Sequence, residues 1–139
     1  MNATAQRRTF APTPPSAGIA RRFVEGVLTD AGLGHLAYTA TVLVSELVAN
    51  AIIHAGTPIE VVVKPAGDRA ARIEVHDGNP VLPLRKHYSD MSGTGRGLVL
   101  VERMAAEWGA ERTASGKVVW FEVQPAGAPA LDILDVEAL

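Results

Sequence analysis

The chain has 139 residues, 47% of them hydrophobic and 20% charged, as expected for one globular domain. Its formal net charge is -2, so it lacks the basic excess that general nucleic-acid binding needs. It has no cysteine, which excludes disulfides and thiolate metal sites and is compatible with a reducing cytoplasm. The N-terminus carries no signal-peptide pattern and no apolar run reaches the roughly 20 residues of a membrane-spanning helix, so we expect a cytoplasmic protein without membrane or nucleic-acid partners.

The first half of the chain is predicted to be mainly helical. A short strand over residues 7–11 precedes three prolines, and a helix follows, with Ser16 as its predicted N-cap and Gly32 as its C-terminal glycine. A second amphipathic helix is predicted over residues 36–55, and the Gly-Thr-Pro sequence that begins at Gly56 ends it.

The second half is predicted to contain most of the sheet. Two β-branched segments, 59–64 and 71–76, flank a hairpin turn at Gly67-Asp68. Residues 77–97 show no clean periodicity, which is typical of a functional loop. The later predicted elements are a helix over 98–107 and strands over 108–113 and 117–123.

This element order predicts an α+β two-layer sandwich with a mixed, mostly antiparallel sheet and three helices on one face. The absence of a repeating βαβ pattern disfavours Rossmann and P-loop folds. We expect residues 1–125 to form one domain and residues 126–139, which are Ala/Pro-rich and then acidic, to form a C-terminal tail.

Three polar residues of the second helix, Glu46, Asn50 and His54, recur at intervals of four and fall within an arc of about 80° at the border of its apolar face. A carboxylate can act as a general base, and an amide oxygen is a suitable ligand for Mg²⁺. The same pattern also fits a solvated helix edge, so spacing alone leaves both interpretations open.

The long loop begins and ends with further candidates. Asp77 follows a strand and can accept a hydrogen bond from an exocyclic amine, although Asp-Gly-Asn-Pro is also ordinary turn sequence. The run Gly93-Thr94-Gly95-Arg96-Gly97 precedes a helix, where backbone N–H groups and the helix N-terminus favour phosphate. The same glycines would also suit a hinge.

Taken together, these motifs resemble the GHKL superfamily, which has the Bergerat-type ATP-binding fold of gyrase and histidine kinases. The resemblance is closest to the stand-alone anti-sigma factor serine/threonine kinases of actinobacterial type, and it covers nearly the whole chain. The matching segments are LVSELVANAIIHAG (43–56), VHDGNP (75–80), GTGRGLVLVERMAAEWG (93–109) and SGKVVWFEV (115–123).

The resemblance implies a role for each candidate residue. Asn50 would ligate Mg²⁺, Glu46 would position or deprotonate the nucleophile, and Asp77 would read the adenine amine. Residues 81–96 would form the ATP lid. The other residues implied to bind the nucleotide are His54, Asn79, Gly93, Thr94, Gly95, Arg96, Gly97 and Leu98. Many relatives carry a threonine in the late strand that helps to hold adenine, and the corresponding residue here is identified as Val118.

The resemblance also implies a function, with alternatives. The chain would use ATP and Mg²⁺ to phosphorylate a serine or threonine of an anti-anti-sigma partner, with a sigma factor as second partner and a homodimer as a possible assembly. A non-catalytic module that sequesters a partner is the alternative from another class. A detached histidine-kinase catalytic domain is the third, and it predicts a longer lid than this sequence has.

Overall fold

The computed structural model describes residues 4–83 and 95–125. Within them the chain forms five strands and three α-helices. In chain order these are β1 (Gln6–Phe10), α1 (Pro15–Asp30), α2 (Ala37–His54), β2 (Ile59–Ala66), β3 (Ala70–Asp77), α3 (Gly95–Met104), β4 (Glu107–Thr113) and β5 (Gly116–Val123). A short 3-10 helix, Gly34–Leu36, leads into α2.

The strands form one open sheet in the order β1-β2-β3-β5-β4. Each neighbouring pair in the described part of the chain is antiparallel, so the sheet contains none of the parallel pairing that a mixed sheet requires. The central pairing of β3 with β5 places Asp77 opposite Lys117 at one end and Ala71 opposite Val123 at the other. The α+β sandwich predicted from the sequence is confirmed, and only the expected mixed character of the sheet is wrong.

The helices cover one face of the sheet because alternate strand residues and one stripe of each helix are apolar. In α1 the buried stripe recurs every fourth residue, at Ala20, Val24 and Leu28. Helix α2 lies between α1 and α3 and contributes the largest share of the helical core. Its buried residues are Ala40, Leu43, Val44, Leu47, Val48, Asn50 and Ala51.

The segment Gly34–His54 is long and apolar enough to cross a membrane by length and composition, contrary to our expectation from the sequence. Half of its most apolar window is buried inside the domain, against α1 and the sheet. Packing in the core of the sandwich therefore accounts for much of the apolar character of this segment.

The helix ends show where local sequence rules succeed and fail. Gly32 adopts a φ of +76° after α1, and Leu33 N–H donates to the Leu28 carbonyl at 2.7 Å, so the predicted glycine C-cap is confirmed. The predicted N-cap Ser16 is wrong. Pro14 already has helical φ and ψ and occupies the N-cap position, while the Ser16 hydroxyl donates to the Ala11 carbonyl at 2.6 Å and ties α1 to the end of β1.

Helix α3 begins and ends about three residues before the predicted bounds of 98–107. The sheet explains where it ends. Ala106 N–H donates to the Glu122 carbonyl at 2.8 Å, and Glu107 pairs with Glu122 in the ladder, so the chain must leave the helix before these residues.

The face of the sheet opposite the helices carries a charged cluster around Glu74, whose side chain is only 10% exposed. One carboxylate oxygen accepts from Lys64 at 3.0 Å and from Arg72 at 2.9 Å, and the other accepts from His76 at 2.9 Å. Burial alone would raise the pKa of Glu74, but these hydrogen bonds and the charge of Lys64 outweigh it and lower the pKa from 4.5 to about 2. Glu74 therefore remains ionised throughout the physiological pH range.

Candidate functional site

An open pocket lies between the C-terminal half of α2 and the facing ends of β3 and β5. Its apolar wall is formed by residues of both layers, namely Leu47, Ala51, Val75, Pro83, Leu98 and Val119. Four polar side chains complete the lining: Asn50, His54, Asp77 and Lys117. A mostly apolar cleft with a few converging polar groups is the usual form of a small-molecule site.

Asn50 is the polar residue of α2 that belongs most clearly to this pocket. It is 8% exposed and lines the pocket, so a ligand or an ion held there would meet its side chain. Its oxygen is the type of hard, neutral donor that Mg²⁺ accepts.

The other two residues of the predicted polar line differ in position. Glu46 lies one turn before Asn50 on the same side of α2, is half-buried, and stands outside the lining of the pocket. His54 is exposed at the end of α2 and does line the pocket, while its backbone carbonyl accepts from the Asn79 side chain at 3.1 Å. The line therefore lies only partly in the pocket, because Asn50 and His54 line it and Glu46 does not.

Asp77 lies at the end of β3 and forms a buried ion pair with Lys117 on β5. The Lys117 ammonium nitrogen is 3.0 Å from each carboxylate oxygen of Asp77, and the side chains of Lys117 and Asp77 are only 8% and 4% exposed, respectively. The same ammonium also donates to the Asn79 carbonyl at 3.1 Å. The carboxylate that the sequence resemblance assigns to adenine is therefore already paired with a cation of the protein.

The loop after Asp77 is held in place by its own side chains. Asn79 N–H donates to Asp77 Oδ1 at 2.8 Å, and Val81 N–H donates to Asn79 Oδ1 at 2.9 Å. Arg112 of β4 donates to the Pro80 carbonyl at 3.3 Å. The Asn79 side chain thus stabilises the loop and is not among the residues that line the pocket, so its direct contact with a nucleotide stays a prediction.

Lys117 is the pocket residue that the sequence analysis missed. Successive side chains of a strand point to opposite faces, and Val119, Phe121 and Val123 of β5 belong to the core. Lys117 shares their parity, so it must point toward the helices, where a charged group requires a partner. Val118 pairs with His76 and shares its face, which is turned away from the pocket. That Val118 corresponds to the threonine of relatives stays a prediction, and Lys117 is the neighbouring residue of β5 that faces the site.

The glycine run is described only in part. Gly95, Arg96 and Gly97 form the first turn of α3, and the buried Leu98 that follows lines the pocket. The N-terminus of α3 therefore lies beside the pocket, where its unpaired N–H groups and the helix dipole favour an anion. Gly93 and Thr94, like most of the predicted lid, lie outside the described residues, and so does the predicted tail at 126–139.

Comparison with known proteins supports this view of the fold. No protein of curated function shows significant sequence similarity to the chain. Among solved structures, the RsbU and RsbW domains of Rv1364c from Mycobacterium tuberculosis match with a TM-score of 0.64 and 20% identity, over 89% of this chain and 33% of that one. The histidine kinase domain of the blue-light activated histidine kinase EL346 from Erythrobacter litoralis matches with a TM-score of 0.52 and 16% identity, over 85% of this chain and 63% of that one.

At these identities the structural matches establish the fold, and the chain spans less than two thirds of either matched protein. The sequence itself matches the model of the histidine kinase-like ATPase domain over residues 10–123. That match runs from the end of β1 to the end of β5 and so includes Asn50, Asp77 and the glycine-rich start of α3. The chain therefore belongs to the family of histidine kinase-like ATPase domains.

Proposed function

We propose that this chain binds ATP with Mg²⁺ in the pocket described above and acts as an anti-sigma-factor-like regulatory kinase. The observation that carries the proposal is that Asn50, which is 8% exposed, lines the same pocket as Asp77 and as Leu98 at the start of α3. This arrangement provides, in one cleft, a carboxylate for a base, an amide for a metal ion, and a helix N-terminus for phosphates.

The residues of the chain divide the binding of the nucleotide between the two ends of the pocket. Val75 and Val119 form an apolar wall that would contact the faces of the base, and Asp77 would accept from its edge. The N-terminal turn of α3 would hold the phosphates, and Arg96 would add positive charge there. Asn50 would hold Mg²⁺, which neutralises charge on the phosphates when it is bound.

Glu46 is the residue proposed to act on the nucleophile. Its carboxylate would orient a serine or threonine hydroxyl of the partner and accept its proton, while the hydroxyl oxygen bonds to the γ-phosphorus of ATP. The bond from that phosphorus to the bridging oxygen breaks, and ADP leaves. Such a transfer depends mainly on positioning and charge neutralisation. Glu46 is half-buried and lies one helical turn from Asn50, so it offers a carboxylate near the proposed metal ligand.

The motifs shared with anti-sigma factor kinases support an anti-anti-sigma protein as the substrate and a sigma factor as the second partner. They also support a cytoplasmic location and assembly as a homodimer. These partners are testable with purified proteins, because each makes a separate prediction about complex formation with and without ATP.

The proposal is tested by titrating ATP, with and without Mg²⁺, into the wild type and two variants. Asn50→Ala should lose the increase in affinity that Mg²⁺ confers, whereas Glu46→Ala should bind Mg-ATP normally and fail to phosphorylate the partner. Thr41→Ala, on the same helix but away from the pocket, serves as the matched control. An absence of ATP binding by the wild type at millimolar concentration would refute the proposal.

A second candidate function is a regulatory module that binds ATP or a partner without turnover. The ion pair between Asp77 and Lys117 favours it, since a neutralised carboxylate is a weaker recognition group for the base. In that case Glu46→Ala would leave both ATP binding and partner binding intact, and no phosphorylated partner would form with the wild type. Mass spectrometry of the partner after incubation with Mg-ATP separates the two functions.

A further inference from the structure

We propose that the Lys117 ammonium competes internally with the base of the bound nucleotide for Asp77, and so determines the affinity and base selectivity of the pocket. This inference rests on the proposed function, because it concerns the base end of the same site. It goes beyond that function in assigning a role to a residue of β5.

The hydrogen bonds of Lys117 carry the inference. An ammonium group has three N–H donors, and three acceptors surround this one: both oxygens of Asp77 at 3.0 Å and the Asn79 carbonyl at 3.1 Å. Asp77 Oδ1 also accepts from Asn79 N–H at 2.8 Å. Three of the roughly four acceptor sites of the carboxylate are therefore occupied, and an exocyclic amine finds one site on Oδ2 beside the Lys117 ammonium unless it displaces one of the lysine N–H groups.

Burial makes this competition strong. The side chains of Asp77 and Lys117 are 4% and 8% exposed, so water screens their attraction poorly. A hydrogen bond to an ionised carboxylate is about twice as strong as one between neutral groups, and a neighbouring cation offsets much of that advantage. An incoming adenine must either displace one N–H of Lys117 or bind a carboxylate whose charge is already compensated.

The experiment compares ATP with inosine triphosphate, whose base carries a carbonyl oxygen in place of the amine. In the wild type we expect the two dissociation constants to agree within about threefold. In Lys117→Thr, ATP should bind about tenfold or more tightly than in the wild type, since its amine gains one charge-assisted hydrogen bond, whereas the affinity for inosine triphosphate should not rise. The ratio of the dissociation constant of inosine triphosphate to that of ATP should therefore increase. A merely structural role of Lys117 would not change this ratio.

Two further variants control the measurement. Lys64→Thr removes the other lysine–carboxylate hydrogen bond of 3.0 Å, that with Glu74 on the opposite face of the sheet, and should leave both dissociation constants unchanged. In the double variant Lys117→Thr, Asp77→Asn the gain for ATP should disappear, because the gain requires the carboxylate. Lys117→Gln, which can still donate to Asn79, is the second variant if Lys117→Thr does not fold, and it should raise the ratio in the same direction.

The outcomes separate this inference from the proposed function. Tight binding of ATP by a folded Lys117 variant, with weak or no binding by the wild type, would support the inference. A wild type that already prefers ATP more than tenfold, or a folded variant with an unchanged ratio, would overturn it and leave the proposed function intact. If neither the wild type nor any folded variant binds a nucleoside triphosphate, the proposed function fails and the inference fails with it.

Discussion

Replacing Glu74 by glutamine should reveal how much the charged cluster on the outer face contributes to the stability of the sheet. Glu74 joins side chains of neighbouring strands, since it accepts from Lys64 of β2 and from Arg72 and His76 of its own strand. Glutamine keeps the shape of the side chain and removes its charge. The variant therefore isolates the electrostatic part of the cluster.

The lowered pKa of Glu74 gives the magnitude. A fall from 4.5 to about 2 corresponds to at most about 3–4 kcal/mol of stabilisation, because each pKa unit is equivalent to about 1.4 kcal/mol. Lys64 and Arg72 are partly exposed, so solvent screening reduces the expected value to about 1–2 kcal/mol. Since the pKa is lower in the folded state, this stabilisation is fully present above pH 4.5 and is lost as the pH falls toward 2.

Urea unfolding of the wild type and Glu74→Gln at several pH values tests this reasoning. The difference in the free energy of unfolding should be about 1–2 kcal/mol at pH 7 and should fall by more than half at about pH 3. Glu60→Gln is the control, because its contact with Arg7 is long, at 3.5 Å, and exposed, and should contribute almost nothing. A difference between the wild type and Glu74→Gln that is independent of pH would refute the argument.

Two glycine substitutions should have opposite effects on thermal stability. Gly116→Ala should destabilise the domain by about 2 kcal/mol or more, because the new Cβ would lie 2.6 Å from Gly78 Cα and closer still to the Asp77 carbonyl oxygen. Gly26→Ala should stabilise α1 by about 0.5–1 kcal/mol, since the position is helical and exposed and nothing lies within 4 Å. A melting temperature of Gly116→Ala at or above that of the wild type, or of Gly26→Ala below it, would contradict the respective expectation.

Much of the fold was predictable because its local signals agree with the global arrangement. The apolar stripe of α1 predicts the body of the helix, and the glycine at position 32 predicts where the same helix ends. Ser16 shows the limit of such rules. A serine beside a helix start is normally a cap, but the helical backbone already begins at Pro14, two residues earlier, and the Ser16 hydroxyl bonds instead to the Ala11 carbonyl just after β1. Competition between two local signals was not resolvable without the tertiary structure.

The site was predictable where it depended on helical spacing and not where it depended on strand pairing. Asn50 enters the pocket because its position on α2 follows from the period of the helix. The partner of Asp77 follows from the register between β3 and β5, which are separated by about 40 residues of sequence and do not pair through a hairpin. The parity of β5 could have placed Lys117 on the inner face, but the residue opposite to it is known only once the sheet is formed.

The two ends of the pocket therefore favour different functions. At the end proposed to hold the phosphates, Asn50 and the start of α3 offer a neutral amide and a helix N-terminus. At the end proposed to hold the base, Lys117 compensates the charge of Asp77. A site built in this way would gain most of its affinity from phosphates and little from the base. Its occupancy would then depend more on the total concentration of nucleoside triphosphate than on the identity of the base. Removing the Lys117 ammonium, which frees the Asp77 carboxylate, should make the identity of the base the stronger determinant.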